Sequence, residues 1–327
     1  MKTAPIALFV YNRPWHTHQT VMALQNNELA KESDLIVFSD GPKIESNKEK
    51  TKSNEEKVKK VRNYIKNITG FKTVKIIERK QNLGLANSII SGVTEVVNQY
   101  GRIIVLEDDL VTSKYFLRFM NEALELYEKE DKVISIHGYV YPIEDLPETF
   151  FLKGADCWGW ATWKRGWDIF EANGEKLLLK LRKRKLLKRF DFDGAYPYTK
   201  MLQKQIKGKN NSWAIRWYAS ALLQEKLTLY PGKSLVQNIG TDGSGTHIDN
   251  CSNFASRMSN TPILRSFAYE PKEDVEAYMK FSNLLNSIRK KIIRKRIHDI
   301  LITKTKAIIP TWIKSFRRKY FCRYGFK

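Results

Sequence analysis

Cysteine and long apolar runs are the two things this sequence has least of. Its three cysteines, Cys157, Cys251 and Cys322, are odd in number and far apart among 327 residues, which argues against a disulfide framework. No run approaches the roughly 20 apolar residues of a spanning helix, and the short run at residues 4–11 does not resemble a secretory signal. We therefore expect free thiols and a protein that begins and stays in the cytoplasm.

Acidic residues are scarce at the C-terminal end. The net charge is +22, and from residue 284 onward fourteen Lys or Arg face one acid, Asp299, so +13 of that charge lies in the last 44 residues. The hydrophobic content of 42% excludes a disordered chain and is enough for a real core. The sequence therefore predicts a globular domain followed by a strongly basic tail.

Short apolar runs alternate with helical patterns in the first half of the chain. Strands are expected at residues 6–11, 35–39, 74–78, 103–106 and 133–137. Between them we expect helices with apolar stripes, one after a Ser53/Glu56 capping box, with residues 43–57 as a surface loop running into it. This rhythm predicts βαβ units and a mainly parallel sheet, whose ligands bind beyond the carboxyl ends of the strands.

The fourth predicted strand ends in three consecutive acids, Glu107, Asp108 and Asp109. Adjacent carboxylates repel one another and lose solvation at the end of a buried strand, so a cation or ligand donors are needed to neutralise them. Mg²⁺ and Mn²⁺ take one or two carboxylates together with substrate phosphates. The triplet therefore predicts a divalent metal site, with a solvated acidic turn as the alternative.

Three other strand ends carry residues suited to a nucleotide. Tyr11, Asn12 and Arg13 offer an aromatic face, an amide and a guanidinium for a base, a ribose and a phosphate. Asp40 ends the second strand and its carboxylate suits the imide N–H of a uracil. A third group, at the turn into a helix whose free N–H groups would seat a diphosphate, comprises Arg79, Asn82 and Gly84.

Tryptophans and a glycine-rich segment mark the second half of the chain. Trp158, Trp160, Trp163 and Trp167 cluster within residues 156–167; about half of them are expected in the core, whereas Trp158 and Trp160 flank Gly159 and suit stacking on sugar rings. Residues 240–247 hold three glycines, which suits a loop that orders over a ligand. His247 in that segment is a candidate ligand of Mn²⁺, with a solvent-facing imidazole as the alternative.

Taken together, these stretches resemble the nucleotide-sugar glycosyltransferases of the GT-A fold, and in particular bacterial relatives of N-acetylglucosaminyltransferase I. The similar segments are residues 11–13, 39–41, 107–109, 159–160 and 236–247, within roughly residues 1–251. The resemblance implies a Rossmann-like mixed, mainly parallel sheet flanked by helices. It also implies an enzyme that moves a hexosyl or N-acetylhexosaminyl group from a nucleoside-diphosphate sugar, in which UDP is the expected nucleotide.

The resemblance also implies roles for individual residues. Asp40 would contact the uracil, Asn12 and Arg13 would line the nucleotide pocket, and Glu107 and Asp108 would face the ribose and donor sugar. Asp109 would be the direct ligand of Mn²⁺ or Mg²⁺, which would bridge the donor phosphates and stabilise the departing nucleoside diphosphate.

The general base of an inverting transferase is not evident. In the Ser212–Trp217 segment Ala214 occupies the position where bacterial relatives carry an aspartate, which leaves Asp242 and Asp156 as candidates. A retaining reaction, which needs no such base, stays open. Trp158, Trp160, Trp213 and Arg216 are the residues expected to bind the acceptor.

The basic tail predicts a membrane-associated protein. Apolar residues recur at helical spacing among Lys and Arg from residue 284, and a second such stretch follows Pro310, a pattern typical of helices lying on an anionic bilayer. We expect a transferase domain at residues 1–265 and a membrane-associating tail at 266–327, with a helix packed on the domain as the alternative for the tail.

The expected acceptor is a lipid-linked glycan or a lipopolysaccharide or capsule precursor at the inner face of the cytoplasmic membrane. Two other functions are considered: a metal-dependent nucleotidyltransferase or phosphohydrolase that uses the same triplet, and a nucleic-acid-binding protein. The second is disfavoured, and no nucleic-acid partner is expected, because the excess positive charge lies in the tail while acids occupy the predicted site.

Overall fold

The computed structural model describes residues 2–240, 242, 254–263, 267 and 270–308, with the side chains of the last helix described up to residue 294. Ten strands are present in this part of the chain. They are β1 (Ile6–Val10), β2 (Asp34–Ser39), β3 (Thr73–Glu78), β4 (Arg102–Glu107), β5 (Leu110–Thr112), β6 (Val133–His137), β7 (Thr149–Lys153), β8 (Trp160–Trp163), β9 (Leu227–Pro231) and β10 (Val236–Asn238).

Ten α-helices connect and cover these strands within the described residues. They are α1 (Pro14–Gln25), α2 (Lys48–Ile65), α3 (Leu85–Tyr100), α4 (Phe116–Leu126), α5 (Lys164–Trp167), α6 (Gly174–Lys183), α7 (Leu187–Phe190), α8 (Tyr198–Ile206), α9 (Trp213–Leu223) and α10 (Val275–Ile308). A 3₁₀ turn, Ala30–Glu32, precedes β2.

Eight of the strands form one mixed sheet in the order β3-β2-β1-β4-β8-β6-β9-β7. The four neighbours from β3 to β4 run parallel, and β6 runs parallel to β9, whereas β8 and β7 pair antiparallel with their neighbours. The expected α/β architecture, a mostly parallel sheet flanked by helices, is confirmed. The chain winds outward from β1 to β3 and then crosses back to β4, so the strand order reverses between β1 and β4.

The helices bury two apolar layers, one on each face of the sheet. Alternate residues of β1 enter opposite layers: Leu8 packs in the layer with α1 and α4, and Phe9 packs in the layer with α3 and α9. Such period-two alternation with apolar residues on both faces is what a central strand covered by helices requires. All five residues of β1 are buried.

Most predicted elements of the first half are confirmed, but the start of α2 is not. The helix begins at Lys48, where the Asn47 side chain accepts N–H bonds from Glu49 (2.7 Å) and Lys50 (3.3 Å), and not after a Ser53 capping box. An asparagine at the N-cap satisfies two of the free N–H groups that every helix start leaves. Much of the predicted surface loop is therefore helix.

The long helix α10 begins as part of the domain and then leaves it. Tyr278, Phe281 and Leu285 are buried in a cluster with Phe150 and Tyr230. The first turns of the predicted tail therefore pack on the sheet. The residues after Ile308, including Pro310 and the second amphipathic stretch, lie outside the described residues.

None of the helices in the described part of the chain combines the length and the apolarity needed to cross a bilayer. Cys157 is a free thiol, as expected. Cys251 and Cys322 lie outside the described residues.

Candidate functional site

The predicted acidic triplet lies at the point where the strand order reverses. Glu107 ends β4, which pairs with β1, and Phe9 is the residue of β1 opposite it. The backbone N–H of Tyr11, just beyond β1, donates to Asp108 Oδ2 at 3.3 Å, and the Thr20 hydroxyl on α1 donates to the Asp108 carbonyl at 2.9 Å. The carboxyl ends of β1 and β4 thus meet at the crevice where open α/β sheets bind ligands.

Arg13 is the cation nearest to the triplet. Its Nη1 lies 2.7 Å from Asp109 Oδ2 and 3.5 Å from Asp108 Oδ1. Arg13 is held there because α1 starts at the next residue, Pro14, whose fixed φ suits the first helical position. The guanidinium therefore offsets part of the negative charge that the three acids bring together.

The negative charge that Arg13 does not offset affects the pKa values of the carboxyl groups in the triplet. Burial, followed by the charges of Asp109 and Asp108, raises the pKa of Glu107 well above its ordinary value. Burial and the charge of Asp109 raise the pKa of Asp108 to about 7, although Arg13 acts in the opposite direction. A group whose ionised form is this unfavourable is stabilised by an added cation. The site is therefore electrostatically suited to a cationic ligand.

A second, two-stranded sheet brings a distant segment to the triplet. β10 pairs antiparallel with β5, which follows Asp109 directly, and the Ile239 N–H donates to the Asp109 carbonyl at 2.9 Å. Gly240 comes next and lies against the ion pair: a Cβ there would be 2.1 Å from Asp109 Oδ2 and 2.8 Å from Arg13 Nη2. Only glycine fits this contact without moving the pair.

His16 is a residue of this site that the sequence analysis missed. It is buried on α1, and its Nε2 lies 3.1 Å from Asp242 Oδ2, beside the Arg13 and Asp109 side chains. Burial and the nearby charge of Arg13 lower the pKa of His16, and Asp242 and Asp109 oppose this shift. Nothing in the local sequence distinguishes His16 from an ordinary helix residue. His247 lies outside the described residues.

Asp40 lies at the end of β2 with every acceptor position of its carboxylate in use. Oδ1 accepts from the N–H groups of Gly41 and Leu83, both at 2.9 Å, and Oδ2 accepts from Gly84 N at 2.9 Å and Asn82 Nδ2 at 3.1 Å. Two carboxylate oxygens offer about four acceptor positions. In this structure Asp40 therefore holds the turn before α3, and its contact with a uracil stays a prediction.

Two further residues fix the ends of β2 and β3. Gly41 approaches the loop so closely that a Cβ would lie 2.4 Å from the Gln81 carbonyl carbon. Arg62 of α2, also missed by the sequence analysis, donates to the carbonyls of Asp40 at 3.2 Å and Arg79 at 2.6 Å. Arg79 itself reaches Ser91 on α3 through Nη2, at 3.1 Å.

Tyr11 and Asn12 lie between these two regions. The Tyr11 hydroxyl donates to Asn54 Oδ1 at 2.9 Å and accepts from the Lys43 N–H at 3.2 Å, which leaves its half-buried ring beside the Asp40 turn. Asn12 is half-buried in the same β1–α1 turn. The sheet thus brings the residues predicted from three separate strand ends to one edge.

Asp156 lies on the other side of the triplet, in the loop before β8. Its Oδ1 accepts from the Cys157 N–H at 2.8 Å and lies 4.0 Å from His137 Nε2. The charge of Asp156 adds to burial in raising the pKa values of Tyr141, Tyr198 and Tyr230. The Asp156 side chain, which is 33% exposed, therefore lies near these three tyrosines, which we name the tyrosine wall.

Two of the four residues expected to bind an acceptor are core residues. Trp160 and Trp213 are 0% and 2% exposed, and their rings stack with centroids 5.4 Å apart. Arg216 is 7% exposed and donates to the carbonyls of Ser212 and Ala172, both at 3.1 Å. Because buried rings cannot stack on a ligand, the expectation is corrected for Trp160 and Trp213. The guanidinium of Arg216 is engaged by these backbone carbonyls within the protein.

Of the clustered tryptophans, Trp158 alone keeps an exposed edge near the site. Trp160, Trp163 and Trp167 are all buried, so more of the cluster belongs to the core than expected. Trp158 is half-buried, contacts Tyr139 edge-on at 4.7 Å, and donates its N–H to His137 Nε2 at 3.0 Å. Its position beside Asp156 leaves it available to a ligand.

The donor set fits a divalent ion in a limited way. Among the described residues no group of three carboxylate, imidazole or thiolate side chains is arranged to hold a metal by itself. Mg²⁺ in phosphate-binding sites needs only one or two carboxylates, because phosphates and water supply the other ligands. Asp109, at the solvent-facing end of the triplet, fits that requirement.

No family model matches the chain, and no curated protein matches it. Among solved structures, it is similar to the mannosyltransferase PcManGT from Pyrobaculum calidifontis in complex with GDP-Man and Mn²⁺, at 11% identity over 44% of this chain and 37% of that chain, with a TM-score of 0.29. It is also similar to TarS from S. aureus, at 15% identity over 46% of this chain and 24% of that chain, with a TM-score of 0.29. A TarS structure in complex with UDP gives 14% identity, 44% and 37% coverage, and a TM-score of 0.27. The chain thus spans less than half the length of each of these structures.

Proposed function

We propose that the chain is a metal-dependent glycosyltransferase that uses a nucleoside-diphosphate sugar, with UDP as the expected nucleotide. One observation carries the proposal: the turn after β1 and the acidic end of β4 meet where the strand order reverses, beside the turn that Asp40 holds at the start of α3. This is the place where a doubly wound sheet binds a nucleotide. The relation to N-acetylglucosaminyltransferase I and the hexosyl or N-acetylhexosaminyl specificity are part of this proposal.

On the donor side, the chain supplies an aromatic face, a cation and free N–H groups. Tyr11 and Asn12 would line the nucleoside pocket, and Arg13 would meet a phosphate. The N-terminus of α3 after Gly84 would seat the diphosphate, with Arg79 and Asn82 in the same turn. Glu107 and Asp108 would face the ribose and donor sugar.

Asp109 would hold Mn²⁺ or Mg²⁺, with His247 as a second candidate ligand. When bound, such an ion supplies Lewis-acid stabilisation of the departing nucleoside diphosphate. Arg13, which pairs with Asp109 and Asp108, would release Asp109 and turn toward the phosphates, because the bound ion would replace its positive charge beside the acids. The chain would thereby exchange an internal ion pair for contacts with the donor.

On the acceptor side, two carboxylates are candidates for the general base of an inverting reaction. Asp242 is paired with His16, and its side chain is 46% exposed. Asp156 lies beside Trp158 and the tyrosine wall, where an acceptor sugar could stack. In either case the carboxylate would take the proton of the acceptor hydroxyl while the hydroxyl oxygen bonds to the anomeric carbon. The bond from that carbon to the nucleoside diphosphate breaks in the same step, and the nucleoside diphosphate leaves. A retaining reaction would need neither residue in this role.

The acceptor we propose is a lipid-linked glycan, a lipopolysaccharide or a capsule precursor, so that the protein acts in polysaccharide biosynthesis. The proposed location is peripheral, on the inner face of the cytoplasmic membrane. Support comes from the basic helix α10, which extends to Ile308 and carries exposed lysines and arginines from residue 289. The proposed division is a transferase domain at residues 1–265 and a tail at 266–327, although α10 packs on the domain at its start.

The function is tested by offering nucleotide sugars to the full-length protein with and without Mn²⁺. A ligand that binds only the native state raises the melting temperature, so a UDP-sugar with Mn²⁺ should raise it more than either alone. Mass spectrometry of the products should show sugar transfer or hydrolysis that releases the nucleoside diphosphate. Release of pyrophosphate would instead indicate a nucleotidyltransferase, and absence of any shift across a full set of nucleotide sugars would contradict the proposal.

A further inference from the structure

The outer surface formed by the α6–α7 corner and the emerging part of α10 is strongly basic. Lys183 is the last residue of α6, Lys185 lies in the turn after it, and Lys188 lies on α7. All three are exposed, and no described carboxylate lies within 4.0 Å of their amines. We name these three, together with Lys290, Lys291 and Arg294 of α10, the basic face. The α10 members are exposed as well and likewise have no ion pair with a described residue.

The two parts of the basic face are joined by direct contacts. The Asp193 N–H donates to the Lys188 carbonyl at 2.8 Å, and the Asp193 carboxylate accepts from the Tyr278 hydroxyl of α10 at 2.8 Å. The Arg289 guanidinium, at the point where α10 leaves the domain, donates to the carbonyl of Gly194. The turn after α7 therefore contacts α10 directly, so the cations of the two elements lie on neighbouring segments of the fold.

Apolar side chains stand among these cations. From residue 289 to residue 294 every side chain of α10 is exposed, and Ile292 and Ile293 are each 44% exposed. On α6, Leu179 is 67% exposed. By helical spacing Ile293 lies one turn from Lys290, and Leu179 lies one turn before Lys183, whereas Ile292 continues the buried stripe of Phe281, Leu285 and Ile288. Exposed apolar side chains flanked by lysines suit an apolar phase next to anionic groups. The phosphates of a nucleic acid offer the charge but no such phase.

From this arrangement we propose that the basic face is a docking surface for an anionic phospholipid bilayer, with Leu179 and Ile293 entering the acyl boundary. The folded domain thus contributes to the contact, which is not confined to the tail. The inner side of α10 packs on the cluster that holds Tyr230 and Tyr141, the tyrosine wall beside Asp156. Docking through this face would therefore place the acceptor side of the site next to the membrane, a consequence that rests on the proposed function.

The test compares two triple variants of the full-length protein in co-sedimentation with vesicles of phosphatidylglycerol and phosphatidylcholine. The first is Lys183→Glu, Lys185→Glu, Lys188→Glu. The matched control is Lys52→Glu, Lys59→Glu, Lys60→Glu on α2, whose side chains are exposed and lie at the opposite end of the sheet. Both variants change the net charge equally, so they separate a local surface from the overall charge of the protein.

The first variant should bind the anionic vesicles at least about tenfold more weakly than the wild type, since each cation near an anionic surface adds about 1 kcal/mol. The control should bind within about twofold of the wild type. Leu179→Ser with Ile293→Ser should lower the binding that persists at high salt, where charge attraction is screened. Melting temperatures and the nucleotide-sugar shift should be unchanged in all three variants.

Four results would overturn the proposal. The first is that the wild type does not bind anionic vesicles. The second and third are an equal loss of vesicle binding in both triple variants and no loss in either of them. The fourth is that the protein binds duplex DNA and not vesicles, and that the first variant loses this DNA binding. Because vesicle binding is measured without donor or turnover, its failure is distinguishable from failure of the transferase function. A protein that binds vesicles through this face but transfers no sugar would keep the docking surface and remove the proposed reaction.

Discussion

Arg13 Nη1 lies 2.7 Å from Asp109 Oδ2, although 96 residues separate the two in the chain. The contact joins the end of β1 to the end of β4 across the reversal of strand order. Through this contact an internal cation partly neutralises the acids.

Replacing Asp109 by alanine should abolish metal-dependent turnover and leave the fold intact. The variant loses a partly exposed ion pair but also relieves repulsion on Glu107 and Asp108, so the free energy of unfolding should change by no more than about 1 kcal/mol. The measurement is turnover against Mn²⁺ concentration, together with chemical denaturation. Asp168→Ala is the control, because Asp168 forms only an exposed pair with Lys164; retained activity in Asp109→Ala would remove the metal hypothesis.

Gly240→Ala should disrupt the Arg13–Asp109 pair, because the new Cβ would lie 2.1 Å from Asp109 Oδ2. Overpacking of this kind costs about 1–3 kcal/mol, so we expect a tenfold or greater loss of donor affinity and a lower melting temperature. Gly208→Ala is the comparison: its φ is +65° and it has open space around it, so only backbone strain of about 1 kcal/mol is added. Equal effects on donor affinity would contradict the packing argument.

Asp40→Asn should destabilise the turn before α3. An amide nitrogen in place of one carboxylate oxygen would face N–H donors of Asn82, Leu83 or Gly84, leaving buried donors without partners. The expected loss is about 2–3 kcal/mol in the free energy of unfolding. Asp34→Asn, at the other end of β2, removes charge where a single Thr73 hydroxyl donates, and should cost less than about 1 kcal/mol.

Binding of UDP to the folded Asp40→Asn protein would separate a positioning role from direct contact. If Asp40 only holds the turn, lowering the temperature or adding a stabilising osmolyte should restore much of the affinity. If Asp40 contacts the uracil, affinity should stay low in a fully folded variant.

His137 should make the protein less stable as the pH falls. Burial lowers the pKa of this imidazole below 6.5, against the opposing charge of Asp156. Between the folded pKa and 6.5 the unfolded chain binds more protons than the native one, so stability is present above about pH 6.5 and is lost as the pH falls below it. The slope is at most about 1.4 kcal/mol per pH unit.

His137→Gln provides the test of this pH dependence, because the glutamine Oε1 can accept the Trp158 N–H as Nε2 does. Chemical denaturation between about pH 5 and pH 8 should show the wild type losing more stability than the variant on the acid side. Parallel curves for the two proteins would show that His137 is not the titrating group.

The sequence alone determined the layered α/β architecture and the position of the acidic triplet at the end of β4. Apolar runs of strand length and helical stripes indicate βαβ units because side-chain periods of 2 and 3.6 are local properties. The strand β6 was predicted at its observed bounds, Val133–His137. The strand ends could then be named, since polar residues following buried runs are visible in the sequence.

Only the tertiary structure decided which of those residues face a ligand and which hold one another. Tryptophan is a residue type that stacks on sugar rings, which is why the sequence predicts an acceptor-binding role for Trp160 and Trp213. They instead pack together in the core, because α9 lies against β8 on one face of the sheet. His16, Gly240 and Arg62 became parts of the site through contacts between segments far apart in the chain. No local pattern encodes such contacts, because they depend on how the elements pack.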